Sequence, residues 1–121
     1  MRKQDVLIVD DEKEICFLLA ALLKQMGYNA DYAYSLEEGA EKLSGSEGFD
    51  IVFLDLNLPD GLGYKLIPEI KQVNQNARVV MISAHDSILQ RIKSETQDVD
   101  QYLSKPFNRD HIATVLSQFD A

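Results

Sequence analysis

The chain has 121 residues, of which 45% are hydrophobic and 26% are charged. These fractions are typical of a folded globular protein and exclude a disordered one, and the length predicts one domain covering residues 1–121. Twelve basic residues against twenty acidic ones give a formal net charge of −8. A surface of this sign does not replace the counterions of nucleic acid or bind anionic lipid, so we expect no direct nucleic-acid binding and no membrane.

Cysteine content and the N-terminus bear on the compartment. Cys16 is the one cysteine in the sequence, which excludes an intrachain disulfide and favours a reducing compartment. We expect it to be a small, partly buried hydrophobe and not a redox centre. The first apolar run begins at Val6 and is stopped by Asp10. This run is too short for a signal peptide or a membrane span, so a cytoplasmic protein is expected.

The first part of the chain has the pattern of a strand followed by a helix. Residues 6–9 form a continuous apolar run, which is typical of a strand buried on both faces of a sheet. The residues after it repeat apolar side chains at the spacing of one helix face, and Gly27 stands at a C-terminal cap position. The predicted buried stripe consists of Ile15, Leu18, Leu19, Leu22, Leu23 and Met26.

The next part of the chain predicts two strands and a helix between them. Residues 28–34 are predicted to form the second strand. Ser35 and Glu38 have the spacing of a capping box, which predicts that a helix begins there. Residues 51–54 are again a continuous apolar run and predict a buried third strand. The helix carries Leu36, Ala40 and Leu43 on its apolar face.

The remaining sequence repeats the alternation. Pro68 lies in the third predicted helix, where an interior proline would cost about 3 kcal/mol, so we expect it in the first turn or at a bend. Residues 79–82 and 99–103 predict the fourth and fifth strands, and Ser87 and Asn108 are predicted to cap the helices after them. The three helices carry Leu66, Ile67, Ile70 and Val73, then Ile88, Leu89 and Ile92, then Ile112, Val115, Leu116 and Phe119.

This order of elements predicts the fold class. Five strands that alternate with five helices indicate an α/β fold, with a parallel sheet covered on both sides and joined by right-handed crossovers. In such open sheets, ligands bind beyond the carboxyl ends of the strands, where the strand order reverses. The residues at those ends are therefore the candidates for a functional site.

Polar side chains stand at four of the five predicted strand ends: Asp10 and Asp11, then Asp55, Ser83 and Lys105. A polar residue often follows a strand because the chain has reached solvent, and acids also favour a helix N-terminus by about 0.3–1 kcal/mol. Neither reason explains three converging carboxylates, which would raise their own pKa values unless a cation lay among them. Oxygen ligands without Cys or His favour Mg²⁺ over zinc.

Asp55 is the best candidate for a nucleophile. It ends the central strand and precedes residues 57–63, a loop rich in turn formers that can offer a backbone carbonyl to an ion. A carboxylate held beside Mg²⁺ can attack phosphorus and form an aspartyl phosphate. Lys105 and the Ser83 hydroxyl can then stabilise the charge on the transferred group.

Four segments at the predicted strand ends have a recognisable sequence. They are Val9-Asp10-Asp11-Glu12, Asp55-Leu56-Asn57-Leu58-Pro59-Asp60-Gly61-Leu62-Gly63, Ser83-Ala84 and Tyr102-Leu103-Ser104-Lys105-Pro106-Phe107. In this order and at these separations, they resemble the response-regulator receiver family of the chemotaxis-regulator-like superfamily, across essentially the whole chain. The resemblance implies a flavodoxin-like, doubly wound (βα)5 three-layer sandwich with a parallel five-stranded sheet of order 2-1-3-4-5.

The resemblance also implies how the site works. Asp55 would accept a phosphoryl group from a phosphohistidine on a sensor histidine kinase or a phosphotransfer protein. Asp11 and Asp55 would bind Mg²⁺ directly, with the main-chain carbonyl of Asn57, and Asp10 would act mostly through water. Mn²⁺ can substitute for Mg²⁺. The phosphoryl oxygens would be contacted by Ser83 and Lys105.

A switch and a lifetime control are implied in the same way. When Ser83 moves toward the phosphoryl group, Tyr102 is expected to turn inward and alter the face made by the fourth helix, fifth strand and fifth helix. This is a population shift biased by the added charge. Asn57 and His85 fall at positions that tune the lifetime of the acyl phosphate.

Two further features of the family bear on the chain. The Lys105–Pro106 peptide bond is expected to be cis, which costs an X–Pro bond only about 0.5–1 kcal/mol. Residues 95–98 depart from the family, because many receivers have Gly-Ala after the fourth helix and this sequence does not.

Three other functions match parts of this pattern. An FMN carrier of the same fold would need a Ser/Thr/Gly loop after the first strand, where the acids at residues 10–12 would repel phosphate. A Mg²⁺-dependent phosphohydrolase would need loops long enough to enclose a metabolite. A receiver-like interaction domain that is never phosphorylated would not need every residue of the site. We therefore favour a signalling domain that catalyses only its own phosphorylation and dephosphorylation.

The implied partners are the kinase or phosphotransfer protein upstream and an effector protein or fused output domain downstream. A phosphorylation-dependent homodimer is a further expectation. The sequence is compatible with a single-domain regulator, a phosphorelay intermediate, or the receiver part of a longer protein.

Overall fold

A five-stranded parallel sheet forms the centre of the fold. The computed structural model describes residues 4–84 and 98–119. The strands are β1 (Asp5–Val9), β2 (Asn29–Ala33), β3 (Ile51–Asp55), β4 (Arg78–Ser83) and β5 (Gln101–Ser104). They are hydrogen-bonded in the order β2-β1-β3-β4-β5, which confirms the expected order 2-1-3-4-5.

Helices cover both faces of this sheet. Those within the described residues are α1 (Lys13–Gln25), α2 (Leu36–Ser44), α3 (Ile67–Val73) and α4 (Arg109–Ser117). The helix labelled α4 is the one that the sequence predicted as the fifth. The helix predicted after Ser87 falls within residues 85–97, outside the described part of the chain. None of the helices in the described ranges is both long and apolar enough to cross a bilayer.

Successive residues of each central strand face opposite layers of the core. In β1, Leu7 and Val9 belong to a cluster that includes α2 and α3 side chains. Val6 and Ile8 belong to the other cluster, which includes side chains of α1 and α4. Because side chains alternate along a strand, both positions are apolar only where both faces are covered. The three-layer architecture therefore explains the continuous apolar runs.

The buried face of α1 differs from the predicted stripe. Leu19 and Leu23 are buried as predicted, but Leu18 is 47% exposed, while Cys16 and Ala20 are buried. These four buried residues follow the i, i+3, i+4, i+7 spacing of one helix face. The prediction for Leu18 was wrong because it weighted large apolar side chains, whereas small residues let the helix lie close to the sheet. Cys16 is also fully buried, not partly buried.

Side chains cap two of the helices at their N-termini. Ser35 Oγ accepts a hydrogen bond from the Glu38 N–H at 3.1 Å. The Glu38 carboxylate accepts from the Tyr34 N–H at 3.2 Å, instead of from Ser35 as a capping box requires. In α4, Asn108 Oδ1 accepts from the His111 N–H at 2.9 Å. Both helices therefore begin where the sequence predicted. In α2, the Glu38 carboxylate bonds to a different N–H group from the one that a capping box would use.

Gly27 and Pro68 occupy the backbone positions predicted for them. Gly27 follows α1 with φ +96°, and the Tyr28 N–H donates to the Leu23 carbonyl at 3.0 Å to close the helix end. Glycine reaches this left-handed region without a steric penalty. Pro68 lies in the first turn of α3, where its missing N–H costs no helical hydrogen bond.

Candidate functional site

The carboxyl ends of the central strands meet at one edge of the sheet, and backbone bonds hold the residues just beyond them. Asp10 follows β1, and its N–H donates to the carbonyl of Ala33 at 3.0 Å. Lys105 follows β5, and its N–H donates to the carbonyl of Ser83 at 2.9 Å. Asp55, the last residue of β3, lies opposite Ile82 in the register with β4. The parallel sheet therefore brings the predicted site residues to one place.

Three carboxylates form the centre of this site. One oxygen from each of Asp10, Asp11 and Asp55 lies within 4.8 Å of the others. Asp10 and Asp55 are buried, whereas Asp11 is exposed. Such a cluster has one side toward solvent and two acids inside the protein, which gives an ion an entry path. The convergence expected from the strand ends is present.

Lys105 supplies positive charge to this cluster. Its Nζ lies 2.9 Å from Asp10 Oδ2, 3.5 Å from Asp55 Oδ2 and 2.7 Å from Glu12 Oε2. Burial acts to lower the pKa of Lys105, but the hydrogen bond to Glu12 and the negative charge of Asp10 outweigh it and hold the pKa above its ordinary value. The Glu12 contact was not predicted. No local pattern shows it, because the two residues are 93 positions apart.

The positive charge of Lys105 does not balance the acids. Burial and, next in size, the Asp10 carboxylate together raise the pKa of Asp55 from 3.8 to about 6, against the opposing effects of Lys105 and the Asn57 N–H. A carboxyl group with a raised pKa is one whose ionised form lacks compensation. The site is therefore short of positive charge.

The contacts of the Asp10 carboxylate bear on whether the site residues fit a cation. Its Oδ1 accepts a hydrogen bond from the Glu12 N–H at 2.9 Å. Its Oδ2 is buried and has the ion-pair contact with Lys105, but no described residue donates a hydrogen bond to it. The thiol of Cys16 is engaged elsewhere, since it donates to the Asp10 carbonyl at 3.2 Å. The ligand set is thus oxygen only, which fits a hard divalent ion such as Mg²⁺.

The loop after β3 is a short hairpin. Residues Asn57–Leu58 pair antiparallel with Gly61–Leu62. The Asn57 N–H donates to Asp55 Oδ1 at 3.3 Å. Gly63 lies so close to the Asp55 carbonyl that a side chain at this position would overlap it. The sequence predicted a turn-rich loop here but not the strand pairing, which holds the Asn57 main chain beside Asp55.

The remaining predicted residues lie on β4 and β5. Ser83 is buried and lies opposite Ser104 in the sheet register. Tyr102 lies opposite Met81 and is half-buried, and its burial raises its pKa. The peptide bond between Lys105 and Pro106 is cis, as expected.

One predicted residue cannot be placed in the same way. His85, expected to tune the phosphoryl lifetime, lies outside the described residues.

Comparison with known proteins agrees with this geometry. The model of the response regulator receiver domain family matches residues 6–117. The sensory transduction protein LytR of Staphylococcus haemolyticus is 38% identical over 114 residues, which are 93% of this chain and 43% of that protein. The transcriptional regulatory protein CpxR of Escherichia coli is 34% identical over 85% of this chain and 43% of its own length. The chain thus spans less than half the length of these curated relatives.

Solved structures of similar length have the same fold. A receiver domain from Methylobacillus flagellatus is 29% identical with a TM-score of 0.84, over 97% of this chain and 98% of that one. The response regulator protein TrrA of Thermotoga maritima, solved in complex with Mg²⁺–BeF, is also 29% identical, with a TM-score of 0.81 over 95% of this chain and 97% of that one. With the flavodoxin-like sheet and the acidic cluster at its edge, these matches show that the chain belongs to the response regulator receiver domain family.

Proposed function

We propose that Asp55 is the residue of this receiver that accepts a phosphoryl group, in a reaction that depends on Mg²⁺. The observation that carries the proposal is the position of Asp55 among oxygen ligands. Its carboxylate lies within 4.8 Å of those of Asp10 and Asp11, and 3.5 Å from the ammonium group of Lys105. A nucleophile, a cation site and a fixed positive charge thus meet at one buried acid.

The same residues divide the task of binding the ion. Asp11 is exposed and Asp55 is at the end of its strand, so both can bind Mg²⁺ directly, together with the Asn57 carbonyl. Asp10 is already held by the Glu12 N–H and Lys105, so it acts mostly through water. Mg²⁺ commonly keeps several waters when a protein binds it. Mn²⁺ can take the same oxygen ligands.

The chain's own groups then carry out the transfer. Bound Mg²⁺ supplies positive charge that offsets the repulsion among the acids and the phosphoryl oxygens. A carboxylate oxygen of Asp55 attacks phosphorus, the P–N bond of a phosphohistidine donor breaks, and the imidazole leaves with the electron pair. Lys105 pairs with one phosphoryl oxygen and the Ser83 hydroxyl donates to another. Hydrolysis of the acyl phosphate resets the domain, which acts on no other substrate.

The readout of phosphorylation involves Ser83 and Tyr102. When the Ser83 hydroxyl moves toward the phosphoryl group, the Tyr102 ring turns inward and changes the surface around β5 and α4. Asn57 and His85 set how long the phosphoryl group lasts. Fluoroberyllate with Mg²⁺ should give the same state without covalent chemistry. A receiver domain from DrrB was solved as BeF3-activated, which supports this choice of reagent.

The partners follow from the chemistry and from the relatives. A sensor histidine kinase or a histidine phosphotransfer protein supplies the phosphoryl group in the cytoplasm. CpxR and DltR are named transcriptional regulatory proteins, which supports an effector protein or fused output domain as the downstream partner. A homodimer that forms on phosphorylation is one way to pass on the signal.

Acetyl phosphate tests the proposal without a kinase. With Mg²⁺, the protein should gain one phosphoryl group by intact-mass analysis, acid-stable but labile to hydroxylamine. Asp55→Asn should abolish the gain, whereas Asp110→Asn, the same change on the exposed first turn of α4, should not. Equal modification of the Asp55 variant would place the acceptor elsewhere. Steady turnover of p-nitrophenyl phosphate would instead favour a phosphohydrolase.

A further inference from the structure

The loop that follows Asp55 is bound to helix α2 through one side chain. Asp60 Oδ1 accepts a hydrogen bond from the Leu36 N–H at 2.9 Å, and Oδ2 accepts from the Glu37 N–H at 3.0 Å. These two bonds hold the pKa of Asp60 below its ordinary value. Asp60 is therefore a carboxylate at neutral pH. It bonds to two residues that precede it in the chain by 24 and 23 positions.

Helix α2 already has a cap of its own. Ser35 immediately precedes it and accepts from the Glu38 N–H at 3.1 Å. Serine is one of the residues preferred at this position. The two bonds from Asp60 satisfy different N–H groups and come from a distant loop. They tie that loop to the helix in addition to capping it.

The tie acts at the tip of the hairpin. Asp60 lies in the two-residue connection between Leu58 and Gly61, and the hairpin leads back to Asn57, which pairs with Leu62. Gly61 has φ +148°, and a side chain at this position would come within 2.9 Å of Leu36. The hairpin therefore approaches α2 closely at Asp60 and at the residue after it. A shift of its tip would be passed along the paired strands to the Asn57 main chain.

The other end of the tie leads to the acidic cluster. Helix α2 follows β2, whose last residue, Ala33, accepts a hydrogen bond from the Asp10 N–H at 3.0 Å. A continuous path thus runs from Asp60 through Leu36 and Ala33 to Asp10. It connects the loop carrying the Asn57 carbonyl with the first acid of the cluster.

We propose that Asp60 is a positioning residue of the acceptor site, which holds the Asn57 main-chain carbonyl in place relative to Asp10 by tying the hairpin to the start of α2. The inference rests on the proposed function, because the carbonyl matters only if the site binds a divalent ion. Groups that orient metal ligands commonly change metal affinity about 10- to 100-fold when removed. Asp60 orients the Asn57 carbonyl indirectly, through the backbone of the hairpin.

Magnesium titration by calorimetry on the full chain tests this role. Asp60→Ala should raise the Kd for Mg²⁺ about tenfold, because the carbonyl is no longer held. Ser35→Ala is the matched control, since it removes another N-terminal cap from the same helix without touching the loop. It should lower the melting temperature without Mg²⁺ but leave the Kd within about twofold of the wild type. Asp60→Asn retains one acceptor oxygen and should give a smaller rise in Kd than alanine.

The outcomes separate the tie from the function it serves. If the wild type binds Mg²⁺ and the Asp60 and Ser35 variants change the Kd equally, Asp60 is only a helix cap. That result would overturn the inference but leave the proposed function intact. An unchanged Kd in Asp60→Ala would do the same. If Asp60→Ala fails to fold, an unchanged Kd in Asp60→Asn overturns the inference. If the wild type takes up no Mg²⁺, the proposed function fails, and the inference with it.

Discussion

Lys105 Nζ lies 2.7 Å from Glu12 Oε2, which is closer than its 3.5 Å separation from Asp55. Glu12 is exposed and precedes α1, so it is not part of the buried cluster. In this conformation, the lysine is shared between the acids of the site and an outer carboxylate. If Asp55 is the phosphoryl acceptor, as proposed, a contact of Lys105 with the phosphoryl group competes with its pairing with Glu12.

Neutralising Glu12 should therefore favour phosphorylation. Because Glu12 is exposed, its ion pair with Lys105 contributes on the order of 1 kcal/mol, so Glu12→Gln should raise the rate of phosphorylation by acetyl phosphate by about fivefold. Intact-mass time courses at fixed Mg²⁺ would measure this. Glu14→Gln removes the same charge from the exposed first turn of α1 and should leave the rate unchanged. Equal rates in all three proteins would show that Glu12 does not restrain Lys105.

The raised pKa of Asp55 predicts how stability changes with pH when no divalent ion is bound. In the folded protein, burial and the Asp10 charge raise the pKa of Asp55 from 3.8 to about 6. Because the folded state has the higher pKa, it holds the proton of Asp55 more tightly than the unfolded state does. The stabilisation that this proton gives to the folded state is complete below about pH 4. It is lost as pH rises through about 6. The full change is on the order of 3 kcal/mol, of which about 1 kcal/mol falls between pH 5 and 8.

Urea unfolding in EDTA at pH 5 and pH 8 would measure this change, with Asp55→Asn as the reference. The variant cannot titrate at this position, so its advantage in unfolding free energy over the wild type should be larger at pH 8 than at pH 5. Saturating Mg²⁺ should reduce the difference, because the ion stabilises the ionised form. A constant difference across pH would mean that the pKa of Asp55 is the same in the folded and the unfolded protein.

Cys16 should be unreactive in the folded protein. It is fully buried, and burial and the nearby Asp10 charge raise the pKa of its thiol to about 12. A rise from 9.0 to about 12 lowers the thiolate fraction at pH 8 about a thousandfold. Ellman's reagent should therefore label one thiol in urea and essentially none in buffer. Rapid labelling of the native protein would contradict the packing of α1 on the sheet.

Gly63 should not accept a side chain. Alanine at this position would overlap the main-chain carbonyl of Asp55, and backbone cannot move aside as a flexible side chain can. We expect Gly63→Ala to lower the free energy of unfolding by about 3 kcal/mol, the upper end of what overpacking typically costs. At Gly45, the nearest atom to an added methyl is 3.5 Å away, so Gly45→Ala should change stability by less than about 1 kcal/mol. Chemical denaturation of the two variants makes the comparison, and similar stabilities would contradict the close approach.

Much of the fold could be predicted because the signals are local. Continuous apolar runs such as residues 51–54 indicate strands that both faces of a sheet bury, and the structure contains all five strands within two residues of the predicted bounds. The buried side of α1 was harder to predict. Cys16 and Ala20 face the sheet while Leu18 is exposed, because the distance between helix and sheet selects small residues that a count of large apolar ones overlooks.

For the site, the sequence by itself determined which groups stand at the strand ends, since a parallel sheet carries every carboxyl end to one edge. That is why Asp10, Asp11 and Asp55 could be predicted to meet. Only the tertiary structure decided which partners those groups share. The pairing of Lys105 with Glu12 and the bonds from Asp60 to α2 join residues 93 and 24 positions apart. Such contacts depend on side-chain directions in the packed protein, which no spacing along the chain encodes.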